Sequence, residues 1–342
     1  RSMQLEVTID RDGLHRLINN LQGLTLMEAE KVLTKAIIVD QSLSADDIVR
    51  VIDAKKDIVE REGLLEYYPI ESAMTDIAGL ENLKDWLRKR RAIVTKPTQA
   101  SAYGLQFPKG VLLVGVPGSG KSLCAKAVAM EWSLPLLKMD PGSLYNKYVG
   151  ETEQNFRKAM DTASRMAPVV LWIDEIEKAF ATSSGEGDGG LSTRVLGTFL
   201  SWLQEREGDV FVVATANDVS KLPPELLRKG RFDEIFFVDL PCREARTQIL
   251  AIHLSKRNQP VEDFDLSTLA DATVGFTGAD IEQSIASALY TCFDDAQALN
   301  TEALLAEIQQ TKPLSKTMPE RMDALRAWAQ DRTVPANISP ST

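Results

Sequence analysis

The sequence predicts an α/β fold: a parallel five-stranded sheet sandwiched between helices, with a C-terminal helical lid and a small N-terminal helical module. Three observations carry that expectation. From about Asp76 onward, short apolar runs alternate with helix-length amphipathic stretches. The first of those runs opens into a glycine-rich turn at 115–122. Past Leu240-Pro241 the apolar runs stop and only helical periodicity remains.

Taken in order, residues 13–60 read as three helices. Leu14, Leu17, Ile18 and Leu21 follow helical spacing, as do Ala29, Val32, Leu33 and Ala36. Thr25-x-x-Glu28 and Ser44-x-x-Asp47 fit capping boxes for the second and third. Arg1-Ser2 ahead of Met3 reads as a cloning remnant. Residues 1–71 therefore form a helical module without evident chemistry, ending in a linker from Glu62 to Ser72. An α/β unit follows over 72–241, with strands expected at 111–115, 134–139, 169–173, 210–214 and 235–238. The helical lid spans 242–311, where Thr277-x-x-Asp280 caps a helix carrying Ile281, Ile285 and Leu289. In the tail, 312–342, Thr317-x-x-Glu320 starts a helix with Leu325 and Trp328 on one face. Ser183–Gly190 is a low-complexity loop.

Composition narrows the function classes. Hydrophobic residues at 44% and charged residues at 26% are ordinary for a globular chain of 342 residues. A net charge of −10 argues against nucleic acid as the main partner, since phosphate neutralisation needs a basic face. Lys89–Arg91 and Lys229–Arg231 are short basic clusters that also suit solvated helix ends or loops. No apolar stretch is long enough to cross a bilayer, and no signal-peptide pattern opens the chain, so no membrane association is expected. Cys124, Cys242 and Cys292 are scattered without metal-ligand spacing, which fits a reducing, cytosol-like compartment. With only His15 and His253, no H-E-x-x-H zinc protease motif exists.

The chemistry concentrates in the middle of the chain. Gly115 to Ser122 reads Gly-Val-Pro-Gly-Ser-Gly-Lys-Ser and fits G-x-x-x-x-G-K-[ST] at every fixed position. Its glycines let the loop through Val116, Pro117, Gly118, Ser119 and Gly120 turn its available backbone N–H groups inward around a phosphate. Lys121 reaches the β/γ-phosphates, Ser122 ligates Mg²⁺, and the helix continuing through Leu123 points its positive end at the anion. The plain alternative is a strand-to-helix turn that binds nothing. Val169–Ile173 is an apolar strand ending in Asp174-Glu175, where Asp174 would hold Mg²⁺ through water and Glu175 would polarise the attacking water. Alone, that pair could be a helix N-cap. Phe211–Asn217 ends another strand in an amide suited to orient the water, or simply to cap its turn. Arg228 and Arg231, beside the Gly230 turn, suit guanidinium groups reaching a phosphate held by another subunit, or ordinary surface ion pairing.

In this order the elements resemble the AAA branch of the AAA+ ATPases, from about Asp76 to Arg332. The resemblance implies ATP and Mg²⁺ as cofactors, a Walker A loop at 115–122 and a Walker B pair at Asp174-Glu175. It also implies a first sensor at Asn217 and an arginine-finger segment at Arg228 and Arg231. Asp76-Ile77-Ala78-Gly79 resembles the stretch that holds adenine, with Ala78 where many relatives carry glycine. His253 matches the lid histidine that contacts the base, though as a lone residue it would suit a partly buried helix position. Gly275–Asp280 is similar to the second sensor, with Gly278 and Ala279 at the nucleotide and Ala279 where other branches carry arginine, which is the protein-remodelling pattern. Lys147, Tyr148 and Val149 resemble the first pore loop of a homo-hexamer that grips a polypeptide, unless Tyr148 packs onto its own domain. The loop at 183–190 falls near the second pore loop without its usual signature.

The tail segments Lys312–Ser315, Leu325–Ala329 and Val334–Ala336 are similar to the AAA proteins of plastid and cyanobacterial genomes, which carry a degenerate AAA module ahead of the active one. On that likeness the helices at 13–60 are the lid of such a module, and the chain is a shortened or short member, cytoplasmic or stromal. The function so implied is an ATP-driven remodeller of an unidentified protein substrate or adaptor. The alternative is an ATP-controlled assembly module that binds a partner without threading it.

Overall fold

The computed structural model describes residues 6–7, 17–18, 21, 24–40, 42–43, 45–61, 63–68, 77–144, 149–180, 191–206 and 208–337. Glu6–Val7 (β1) leads to Leu26–Asp40 (α1), Ser42–Leu43 (β2), Ala45–Glu60 (α2) and Glu66–Tyr68 (β3). Glu81–Thr95 (α3) and Pro97–Ala102 (α4) precede Gly110–Gly115 (β4), Lys121–Trp132 (α5) and Leu136–Met139 (β5). Next come Pro141–Leu144 (α6), Val149–Arg165 (α7), Val169–Ile173 (β6), Glu177–Phe180 (α8), Leu191–Glu205 (α9), Val210–Ala216 (β7) and Glu234–Val238 (β8). Arg243–Ser255 (α10), Leu266–Ala272 (α11), Gly278–Asp294 (α12) and Thr301–Gln310 (α13) form a helical unit. Leu314–Thr317 (α14), Pro319–Ala329 (α15) and Val334–Pro335 (β9) close the described chain.

The main sheet runs β3-β5-β6-β7-β4-β8-β9. Its five central strands are parallel and are the ones expected from the sequence. Every residue of β4, β6 and β7 is buried, because helices cover both faces and leave no polar side. One face packs Leu112, Val114, Ile173 and Phe199. The other packs Leu83, Leu87, Trp132 and Phe211, with the Trp132 and Phe211 rings 4.5 Å apart edge to face. The helical unit α10–α13 has a separate core around Leu250, Leu269, Ile281 and Leu304.

Two short strands extend the sheet where the sequence offered a linker and a tail. Glu66–Tyr68 pairs antiparallel with β5, and its buried Tyr67, with Leu65 and Val59, joins the first core. Val334–Pro335 pairs with β8 at the other edge, where a proline costs no central hydrogen bond. The tail helix also starts differently from the expected Thr317 box. Pro319 takes the first turn and the Thr317 hydroxyl turns back to the Leu314 carbonyl at 3.2 Å. The other boxes form where they are described. The Thr25 N–H donates to Glu28 at 2.9 Å and the Glu28 N–H to Thr25 Oγ1 at 3.3 Å, while Thr277 and Asp280 cap α12 reciprocally. Ser44 lies outside the described residues, as does most of the first N-terminal helix, of which Leu17, Ile18 and Leu21 are helical.

Because Phe211 is fully buried between two tryptophans, Phe211→Ala is expected to lower unfolding free energy by about 3–5 kcal/mol. Phe293→Ala, at a residue 87% exposed, should change it by less than about 0.5 kcal/mol. Urea unfolding of both variants checks the contrast.

Candidate functional site

At the C-terminal ends of the parallel strands lies a cavity of about 640 Å³. Pro117 to Leu123 form its floor, Asp174, Glu175, Thr215 and Asn217 one wall, and Ile77, Ala78 and Leu80 another. The helical unit closes it with Ile249, Ile252, His253, Gly278, Ala279 and Glu282.

The floor is a strand-loop-helix turn. β4 ends at Gly115, and Gly120, at φ 93°, caps α5 without a side-chain bond, which leaves the N–H groups of Lys121 and Ser122 for a ligand. Gly118 sits at φ +76°, and a Cβ there would come within 3.0 Å of Thr277 Oγ1 and 3.2 Å of Ala279 Cβ. The Gly118 carbonyl accepts the Ala279 N–H at 3.3 Å, so the loop and α12 meet directly. Ser119 Oγ is buried without a hydrogen-bond partner inside this cradle. Lys121 is buried, and its Nζ donates to the carbonyls of Gly115 at 3.0 Å and Val116 at 2.6 Å. Burial pulls its pKa down to about 8, against the nearby Cys124, Glu177, Asp174 and Glu175. An orphaned hydroxyl, free N–H groups and a desolvated ammonium all favour a polyanionic ligand such as a triphosphate. Val116 itself is buried at the base of the loop.

The acidic wall is held by one hydroxyl. Thr215 Oγ1 donates to Asp174 Oδ1 at 2.7 Å and accepts the Glu175 N–H at 3.0 Å. That second bond holds Glu175 at φ 51°, a left-handed conformation unfavourable for a residue with a Cβ. Asn217 Nδ2 donates to Glu175 Oε1 at 2.7 Å, and its backbone N–H donates to Glu177 Oε1 at 2.9 Å. Lys178 pairs with Glu175 from the next turn. Hydrogen bonding from Lys178 holds the Glu175 carboxyl below the usual range, so it is ionised at neutral pH and able to accept a proton. Burial pushes the buried Glu177 the other way. Thr215 and Glu177 were not singled out in the sequence. A lone polar residue inside an otherwise apolar strand was the available signal for Thr215.

Ser122 and Asp174 line the same cavity, and among the described residues no cluster of three or more His, Cys, Asp or Glu could hold a metal. A serine and one carboxylate, with phosphate oxygens and waters completing the shell, is a donor set that fits Mg²⁺.

Around the other end of the cavity, Ile77, Ala78, Ile249 and Ile252 make apolar walls suited to a flat ring. His253 is half-buried there, and burial lowers its pKa, which keeps the imidazole neutral. Ala279 stands exposed at the start of α12, so that helix end carries no cation toward the floor.

Arg228 and Arg231 do not join this cavity. Arg228 is exposed, and Arg231 is half-buried with Nη1 enclosed and unpartnered. They flank Gly230 before β8, and Arg228 lines a different cleft of about 660 Å³ with Trp328 and Arg332. Asp76, Lys147, Tyr148 and the loop at 183–190 lie outside the described residues; Val149 opens α7.

Residues 111–240 match the AAA family (ATPase family associated with various cellular activities), and residues 1–62 match the second domain of SpoVK-like AAA ATPases. The chain is 44% identical over 326 residues to the AAA domain-containing protein ycf46 of Trieres chinensis, covering 95% of this chain and 65% of that one. It is 43% identical to ycf46 of Pyropia yezoensis over 331 residues, 96% of this chain and 67% of the relative. The cell division cycle protein 48 homolog of Archaeoglobus fulgidus is 33% identical over 305 residues, 82% of this chain and 41% of the relative. The chain thus spans about two thirds of the ycf46 proteins it matches. Thr215→Val, which removes the hydroxyl under both acids, is expected to lower ATP turnover roughly 10–100-fold while metal-free nucleotide binding holds. Thr215→Ser should keep most of the activity, and steady-state kinetics beside binding titrations read the difference. With a phosphate-type loop, a paired acidic wall and matches that run along nearly its whole length, the chain belongs to the AAA family of ATPases.

Proposed function

We propose that the chain hydrolyses ATP at the seams of a hexameric ring and uses that cycle to remodel a protein gripped by Lys147, Tyr148 and Val149. One observation carries the reading. The cavity gathers Lys121, Ser122, Asp174, Glu175 and Asn217, yet no arginine lines it among the described residues, while Arg228 stands exposed elsewhere on the surface. A site of this kind is completed by guanidinium groups from a neighbour. The relative from Archaeoglobus fulgidus, named for cell division cycle protein 48, supports a remodelling branch.

In this mechanism Glu175 takes the proton of the attacking water, and Asn217 keeps that carboxylate aimed. The Lys121 ammonium and the N–H groups of Gly118, Gly120, Lys121 and Ser122 hold the phosphates. Mg²⁺, when bound, neutralises charge on the β/γ-phosphates, and Ser122 and Asp174 are the residues that would hold it. Asp76, Ile77, Ala78 and His253 frame the base, and Gly278 and Ala279 bring the helical unit onto the loop. Arg228 and Arg231 of an adjacent subunit stabilise the transferred phosphoryl group.

The same reading treats 242–311 as a lid and 1–71 as the end of an upstream AAA module, supported by the SpoVK-like match over residues 1–62. Plastid-encoded relatives support a stromal location, with the cytoplasm as the alternative. Among the described residues no helix is long and apolar enough to cross a membrane.

Glu175→Gln is expected to retain ATP binding, lose at least about 100-fold in turnover and lengthen the life of the ring, read by phosphate release and particle imaging. Arg228→Ala subunits mixed with native ones should depress activity more steeply than dilution, because an arginine in trans is worth roughly 10³–10⁵ in turnover. A linear mixing curve would argue against completion in trans. Tyr148→Ala should abolish remodelling with ATPase activity retained; unchanged biological activity would favour an assembly module that does not thread its partner.

A further inference from the structure

The apolar wall of the cavity is built from a strained turn. Gly79 and Leu80 occupy consecutive left-handed conformations, at φ 66° and 63°. Glycine adopts that region freely; leucine does so only when its surroundings hold it there. Three side chains fix this turn, two of them from distant parts of the chain. Lys84 Nζ donates to the Ile77 carbonyl at 2.6 Å, Gln248 Oε1 of α10 accepts the Gly79 N–H at 3.3 Å, and Asn337 Oδ1 accepts the Leu80 N–H at 2.7 Å. A Cβ on Gly79 would sit 3.1 Å from Asn337 Oδ1 and 3.3 Å from Ala245 Cβ, so the carboxamide packs closely against the turn.

The segment carrying Asn337 is itself locked. Ala336 is fully buried, its N–H donates to the Phe237 carbonyl at 2.8 Å, and β9 pairs with β8 just before it. Its carbonyl accepts the N–H groups of Asn82 at 3.1 Å and Leu83 at 3.3 Å. Those are first-turn donors of α3, whose N-cap Leu80 has no capping side chain. The end of the chain therefore supplies the missing cap. Asn82 Nδ2 returns bonds of 3.0 Å to the carbonyls of Pro335 and Asn337.

We propose that Asn337 is a positioning residue for the adenosine end of the nucleotide site, holding the Ile77–Leu80 wall in its strained conformation from the opposite end of the chain. The proposal rests on the reading that the cavity takes ATP with its base against Ile77 and Ala78. Its specific consequence is a split between parts of one ligand. Asn337 bears on the wall and not on the phosphate loop, so removing its acceptor should weaken whatever needs the wall and spare whatever needs only the loop.

Binding of ATP and of inorganic tripolyphosphate to the full chain, in a Glu175→Gln background, tests this. Asn337→Leu should weaken ATP about tenfold, the loss of one hydrogen bond to a buried N–H, and leave tripolyphosphate unchanged. Asn337→Asp, which keeps an oxygen acceptor, should restore ATP affinity. An unchanged ATP affinity in Asn337→Leu, or an equal loss of both ligands, would overturn the positioning role, the second result marking general destabilisation. Ala78→Trp, which fills the base end, tells the two readings apart. If it weakens ATP selectively while Asn337→Leu does not, the clasp is wrong and the base pocket stands. If neither variant separates ATP from tripolyphosphate, the base-pocket reading falls and takes the proposal with it.

Discussion

Thr215 Oγ1 joins the strands on which the chemistry is mounted, donating to Asp174 and accepting from the Glu175 backbone. One hydroxyl can do both because a serine or threonine oxygen is donor and acceptor at once. The parallel pairing of β6 with β7, Ile173 opposite Ala214, brings that oxygen level with the turn where both acids begin. Were the register to slip by one residue, the hydroxyl would face the opposite side of the sheet and both acids would lose it. The site thus depends on β-sheet register before it depends on any side chain.

Charge is arranged around that joint so that neighbouring carboxylates differ. Glu175 is half-exposed, bonded to Lys178 and Asn217, and stays ionised. Glu177, two residues on, is buried, with Oε2 unpartnered and Oε1 spent on the Asn217 N–H. Environment thus sets two identical side chains apart: one stays ionised at the cavity wall, the other braces the backbone of the amide bonded to the first. Lys121 completes the balance from the floor as a desolvated cation whose nearest partners are carbonyl oxygens of its own loop.

Much of this was legible in the residues themselves. The eight-residue glycine loop, the apolar strand ending in Asp174-Glu175 and the Thr277 capping box each carry local signals, and each occupies the element expected of it. β3 and β9 were not legible, since three and two residues are too few to display a strand period. The Thr317 box misled because Pro319, with its fixed φ, is the better first residue for a helix. The bond from Leu80 to Asn337 spans 257 positions and has no local signature at all. Contacts of that kind belong to topology, which pattern reading reaches only coarsely.

The path of the backbone between its layers has a mechanical meaning. The chain leaves the sheet at Leu240-Pro241, builds the core of α10–α13, and returns so that Leu314, Met322 and Leu325 pack under the strands again. Arg326 then grips Asp239, one residue before the point of departure, through both of its carboxylate oxygens. The helical unit is consequently an excursion whose exit and return meet at Asp239, with further bonds to the Gly118 carbonyl and the Gly79 N–H. Its two covalent connections to the sheet thus share one root, while its other ties run directly to the glycine loop and to the Ile77–Leu80 turn.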